Sequence, residues 1–166
     1  RGQRARQGNQ SNHANKAGYK CAADFFTKLG KLCLLAGRHP YKNPMSETTT
    51  LYDRLGRRDG ITRITRALIK NHLANPLVSN RFSQIGDMDR VERNAIDFLC
   101  AGSGGPESYA GKDMLSTHRG MNISEQEFVA VVDDVLAALE TCEVDAPVRG
   151  EVLAILWSLK PEVARV

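Results

Sequence analysis

The sequence predicts an all-α fold. From Thr48 onward apolar residues recur at helical spacing, glycine-rich breaks separate the periodic stretches, and no segment alternates as a half-buried strand would. A chain of 166 residues with 42% hydrophobic content is long enough for one ordinary domain with a real core, and hardly for two.

The elements follow in order. A short opening helix runs through Leu51-Tyr52-Asp53-Arg54-Leu55 and stops at Gly56. A longer helix from about Gly60 places Ile61, Ile64, Leu68 and His72 on one stripe and ends at Asn75-Pro76. Phe82 is expected in the loop region beyond. Asp87-Met88-Asp89 leads into a helix carrying Val91, Ala95, Phe98 and Leu99, which closes at the glycine-rich run from Ala101 to Pro106. Glu107 to Gly120 reads as loop with a short helical stretch around Met114 to His118. Ser124-Glu125-Gln126-Glu127 is a capping box, opening a long amphipathic helix with Phe128, Val132, Val135, Leu136 and Leu139 on its apolar face. Ala146-Pro147 starts a last helix bearing Val152, Ile155, Leu156 and Leu159.

Charge divides the chain in two. The formal charge is +4, but residues 1–44 hold nine Lys/Arg against one Asp, whereas residues 45–166 hold fourteen Lys/Arg against eighteen Asp/Glu. The first 44 residues are rich in Arg, Gln and Asn at their start, and such a composition cannot recover the entropy of ordering. We read residues 1–44 as a disordered basic leader, either foreign to the natural protein or a targeting or surface-binding segment, and residues 45–166 as the folded domain. The apolar stretch within the leader is broken by Lys28, Gly30 and Lys31 and is too brief to span a membrane.

The four cysteines, Cys21, Cys33, Cys100 and Cys142, form no Cys-x-x-Cys pair and no Cys-x-x-Cys-His motif. Zinc ribbons, thioredoxin-like sites and c-type cytochromes are thereby excluded, and reduced thiols in a cytoplasm are expected.

Several ordered segments carry a more specific signal: LYDRLG, then HLANPLV with Arg81-Phe82, then Phe98-Leu99, Gly104-Gly105-Pro106 and Tyr109-Ala110-Gly111, with Met114 four residues ahead of His118. Together they resemble the group I truncated haemoglobins over about residues 51–163. The resemblance implies a shortened globin, a two-over-two helical sandwich around haem b (iron protoporphyrin IX), with His118 as the proximal iron ligand. A neutral imidazole suits that task, because one ring nitrogen can donate to the metal while the other fixes the orientation. A lone histidine is ordinarily a surface or core residue; its place in the motif is what singles out His118.

The same resemblance assigns further contacts. Phe82 matches the aromatic that stacks on the haem face, and Arg90 a cationic position able to pair with a haem propionate. Tyr109 and Lys112 flank the loop before His118 and could reach propionates, although a solvated lysine is as good a reading. Met114 and Leu115 would pad the proximal side, with Ile123, Phe128, Val132 and Leu156 walling it further in; core packing alone explains these equally well.

The distal side departs from the family. Where many members carry a tyrosine and a glutamine that hydrogen-bond bound oxygen, the aligned positions here hold Ile69 and Ala95, with Val91 at the remaining position. None offers a side-chain donor. A hydrogen bond to bound dioxygen contributes on the order of 1–3 kcal/mol, so its absence implies roughly five- to hundredfold faster dissociation and weaker discrimination against CO and NO. His72, near the inward stripe, could donate to a ligand or coordinate iron, or could sit in the core bonded to a backbone carbonyl. Arg57 also stands where the family usually has the second glycine of a pair.

The resemblance implies a haem protein that binds O2, or another diatomic gas, reversibly. Two alternatives stand beside it: a nitric oxide dioxygenase served by a separate reductase, since the chain shows no flavin or NAD motif, and a non-haem helical interaction module. For the globin domain no nucleic acid partner and no membrane span are expected.

Overall fold

The computed structural model describes residues 49–83 and 85–166. The leader, residues 1–44, lies outside the described residues. Among the described residues seven helices follow one another: α1 (Leu51–Arg54), α2 (Arg57–Ala74), α3 (Ser79–Phe82), α4 (Met88–Gly102), α5 (Met114–His118), α6 (Glu125–Thr141) and α7 (Ala146–Val163). Among the described residues no β-strand forms; one isolated parallel bridge joins Ile123 to Ala164. No helix of the described residues is long and apolar enough to cross a membrane.

Local chemistry sets most of the helix starts. Thr50 and Asp53 cap α1 reciprocally, as Ser124 and Glu127 cap α6, each pair satisfying two otherwise orphaned N–H groups. Asp87 caps α4 and Asp113 caps α5 through their carboxylates. Pro147 stands in the first turn of α7, where its missing N–H costs nothing.

The helices assemble as two crossed pairs. α2 packs against α4 and crosses onto α6, while α6 pairs with α7, and α5 rests on α7. This is the two-over-two arrangement. The principal core lies where the pairs meet and holds Tyr52, Leu55, Ile61, Ile64, Ile96, Cys100, Val135 and Leu139. A second cluster of Ile123, Phe128 and Val132 sits under the end of α7. Burial of this apolar surface is the main term holding the helices together.

Two details differ from expectation. α2 begins at Arg57 rather than near Gly60, and Gly60 lies inside the helix, where a Cβ would sit 2.0 Å from the carbonyl oxygen of Leu55 and only glycine fits. The turn before it uses left-handed backbone at both Gly56 (φ 82°) and Arg57 (φ 57°). Arg57 therefore sits in the conformation a glycine would adopt without strain, and its exposed ion pair with Asp53 at 3.0 Å offsets only a small part of the cost. Phe82 belongs to the short helix α3 rather than to a loop. α3 is held to α6 from outside: Arg81 pairs with Glu127 at 2.7 Å and donates to the Met121 carbonyl at 3.0 Å.

Candidate functional site

His118 ends α5, a helix of five residues between two loops. Its Nδ1 lies 2.8 Å from the carbonyl oxygen of Met114, one turn earlier. A carbonyl only accepts, so Nδ1 carries the proton and donates it, leaving the lone pair on Nε2. The ring is half-buried, so that nitrogen is not enclosed by the core. Arg119 N–H closes the helix on Leu115, and Gly120 N–H donates to the Val166 carbonyl at 2.9 Å. The segment just beyond His118 is thus tied to the end of α7.

Helix α4 shows two faces. Ile96, Leu99 and Cys100 enter the principal core, whereas Val91, Ala95 and Phe98, spaced four and three residues apart, form a separate stripe of half-buried side chains. Ile69 on α2, Phe82 on α3 and Met114 and Leu115 on α5 are also half-buried, and none of these seven belongs to either core cluster. Four helices therefore carry apolar surface that the protein's own cores do not use. That surface, with one imidazole presenting a free lone pair, fits a flat apolar macrocycle with a single axial ligand. Among the described residues no group of three or more His, Cys, Asp or Glu could hold a bare metal ion.

The polar residues expected at the rim are placed as follows. Arg90 is exposed, its Nε 4.0 Å from Asp87. Lys112 is exposed, and its carbonyl accepts the Tyr109 hydroxyl at 2.8 Å. Tyr109 also packs edge-on against Phe98 with ring centres 5.2 Å apart, and burial pushes its hydroxyl pKa up. Phe128 is packed in the second core with Ile123 and Val132, edge-on to Trp157 at 5.6 Å; Leu156 bridges both cores. Core packing accounts for these residues.

His72 is buried on α2, and its Nδ1 lies 2.7 Å from Asp134 Oδ2 on α6. The partner is a carboxylate from another helix, not the backbone carbonyl that a core histidine was expected to find. The other carboxylate oxygen accepts from Asn75 Nδ2 at 3.0 Å, and the Asp134 carbonyl accepts from Asn71 at 3.0 Å. The His72 ring stacks on Phe82, centre to centre 5.3 Å with 20° between planes.

A second polar knot, unforeseen from the sequence, explains the glycine-rich break after α4. The Tyr52 hydroxyl donates to Glu107 Oε1 at 2.9 Å, and Arg58 pairs with Asp97 at 2.9 Å and approaches Glu107 at 3.8 Å. The Tyr52 ring lies so close to Gly105 that a Cβ there would meet it at 2.7 Å. Cys100, fully buried beside this knot, has its thiol pushed up to about 11 by burial and by the Glu107 carboxylate. It is an inert core residue at neutral pH.

Crossed helix pairs, a short helix ending in a histidine with a free Nε2, and an unclaimed apolar surface define a shortened globin. Residues 50–164 match the bacterial-like globin family. The group 1 truncated hemoglobin of Tetrahymena pyriformis is 30% identical over 112 residues, covering 68% of this chain and 92% of that protein. That of Mycolicibacterium paratuberculosis is 28% identical over 119 residues, covering 72% and 87%. The crystal structure of the Tetrahymena pyriformis truncated hemoglobin in its Fe(III) form superposes with a TM-score of 0.67 at 28% identity, covering 70% of this chain and 99% of that one. The chain belongs to the bacterial-like globin family, among the group 1 truncated haemoglobins. The family implies a haem cofactor.

Proposed function

We propose that this protein binds a diatomic gas, O2 in the first place, reversibly at a haem b whose iron is held by His118. The observation that carries the reading is the His118 geometry: Nδ1 donates to the Met114 carbonyl, so Nε2 presents its lone pair in the neutral ring. The haem, when bound, supplies an iron with an open coordination position for the gas.

The residues of this chain do the rest. The Met114 carbonyl fixes the imidazole tautomer and raises its basicity, though less than a carboxylate partner would. Met114 and Leu115 pad the proximal side, and Phe82, Val91, Ala95 and Ile69 exclude water from the distal side. Arg90, Tyr109 and Lys112 stand at the rim for the propionates. With Ile69, Val91 and Ala95 nearest the gas, the distal wall offers no side-chain donor, so dioxygen leaves fast and CO and NO are poorly discriminated against. A cytoplasmic location fits the free thiols of Cys100 and Cys142.

The test is the absorption spectrum of the purified chain titrated with haem. A stoichiometric Soret band is expected, shifting reversibly with O2 and CO after reduction. No band would overturn the reading. His118→Ala should lose the parent spectrum and regain a five-coordinate one with added imidazole.

A further inference from the structure

The buried histidine of α2 is absorbed neither by the core nor by the axial site. An apolar residue would fill its place on the Ile61, Ile64, Leu68 stripe. The chain instead carries there an imidazole that is only 6% exposed and must be served by a partner. Asp134 serves it, 62 residues away on α6, with one carboxylate oxygen for His72 and the other for Asn75. Asn75 in turn accepts the Leu77 N–H at 3.1 Å, fixing the turn that leads from α2 to α3. Phe82 is the last residue of α3, and it lies flat against the His72 ring.

We infer that His72, oriented by Asp134, is the positioning residue that sets the ring plane of Phe82. This rests on the proposed placing of Phe82 beside the haem. A ring with one nitrogen bonded to a fixed carboxylate cannot rotate about its own axis without breaking that bond, so the face it presents to Phe82 is held. Aromatic pairs lying nearly parallel keep their geometry only while both rings are held. Phe82 is gripped on the other side through its neighbour Arg81, whose guanidinium is locked to Glu127 and to the Met121 carbonyl. The short helix therefore has both its backbone and its aromatic fixed from α6, by Glu127 near its start and by Asp134 two turns further on. His72 acts through Phe82: its Nδ1 is bonded to Asp134 and its ring face lies on Phe82.

The test uses the full chain labelled with ¹⁵N-histidine and ring-¹³C phenylalanine, studied by NMR as purified and after saturation with haem. His72 is expected protonated at Nδ1, with ring-to-ring NOEs to Phe82. The carbon monoxide complex of the reduced protein is expected to show one C–O stretching band. Asp134→Ala removes the acceptor and should abolish the His72–Phe82 NOEs and split that band. His72→Asn keeps a donor for Asp134, and with it the fold, but removes the ring, and should split the band in the same way. Ile61→Val, a core change on the same helix, should leave the single band. Unchanged Phe82 ring signals in Asp134→Ala, or a single band in His72→Asn, would overturn the proposal. A protein that takes up no haem would defeat the haem reading instead, while the NOEs and the tautomer still decide whether His72 positions Phe82.

Discussion

The two histidines of the folded domain are held in opposite ways. His118 takes its proton acceptor from its own helix, a carbonyl one turn back, and stays half-buried at the end of five helical residues. His72 takes a carboxylate from a different helix, is buried, and shares that carboxylate with Asn75. The Met114 carbonyl fixes the tautomer of His118 and leaves the Nε2 lone pair free. The half-buried Asp134 carboxylate fixes Nδ1 as well, but it joins two helices, and removing either partner strands the other. Both rings sit on short polar bonds of 2.7 to 2.8 Å; what separates them is that His72 is buried and ties α2 to α6, whereas His118 is half-buried and bonded within its own helix.

The sharpest way to break that contrast is His118→Ala. On the proposed ligation, losing its Nε2 should weaken haem retention by more than the roughly 10- to 100-fold that follows loss of a group hydrogen-bonded behind a metal ligand, read by transfer of haem to an acceptor apoprotein. Asp134→Ala comes next and should act on stability. It strands His72 and Asn75, at a cost of about 2–3 kcal/mol, read as a lower urea midpoint with an unchanged slope.

Glu127 sharpens the comparison through pH. The Arg81 guanidinium, with the Ser124 backbone and hydroxyl, holds its carboxyl down at about 2 from an ordinary 4.5. A carboxylate with a depressed pKa contributes stability that is fully present above its unfolded value and is lost as the pH falls through its folded value. Stability should therefore decline between about pH 4.5 and pH 2, and Glu127→Gln should flatten that stretch of the urea-midpoint profile. At neutral pH the same change should cost about 1 kcal/mol through the lost cap and ion pair.

The smallest effect is expected at Arg57→Gly. Relief of the left-handed strain is worth about 1 kcal/mol and loss of the exposed pair with Asp53 costs a few tenths, so the melting temperature should rise by a few degrees.

The order of helices was readable because it rests on local signals. Asp87, Ser124 with Glu127, and Pro147 each mark a start within a few residues of the backbone they serve. His118 was legible for a related reason, since its motif and its carbonyl partner lie in one short stretch. The α3 helix was not, because four residues make no periodic pattern and what holds them is Arg81 reaching Glu127 across 46 residues. The start of α2 was placed late because glycine reads locally as a breaker, whereas Gly60 is required by the approach of Leu55. Asp134 was not legible: it follows the exposed Asp133, and nothing local marks which of the two adjacent carboxylates turns toward α2. The one available clue was that His72, on an apolar stripe, had to find an acceptor somewhere.

The bridge between Ile123 and Ala164 has a consequence for how the molecule is made. Arg165 N–H donates to the Ile123 carbonyl and Gly120 N–H to that of Val166, each at 2.9 Å, so the backbone following His118 gains its partners from residues more than forty positions later. During synthesis these partners are added more than forty positions after the segment they serve. The backbone just beyond His118 therefore gains its last hydrogen bonds only once α7 has formed and folded back onto α5.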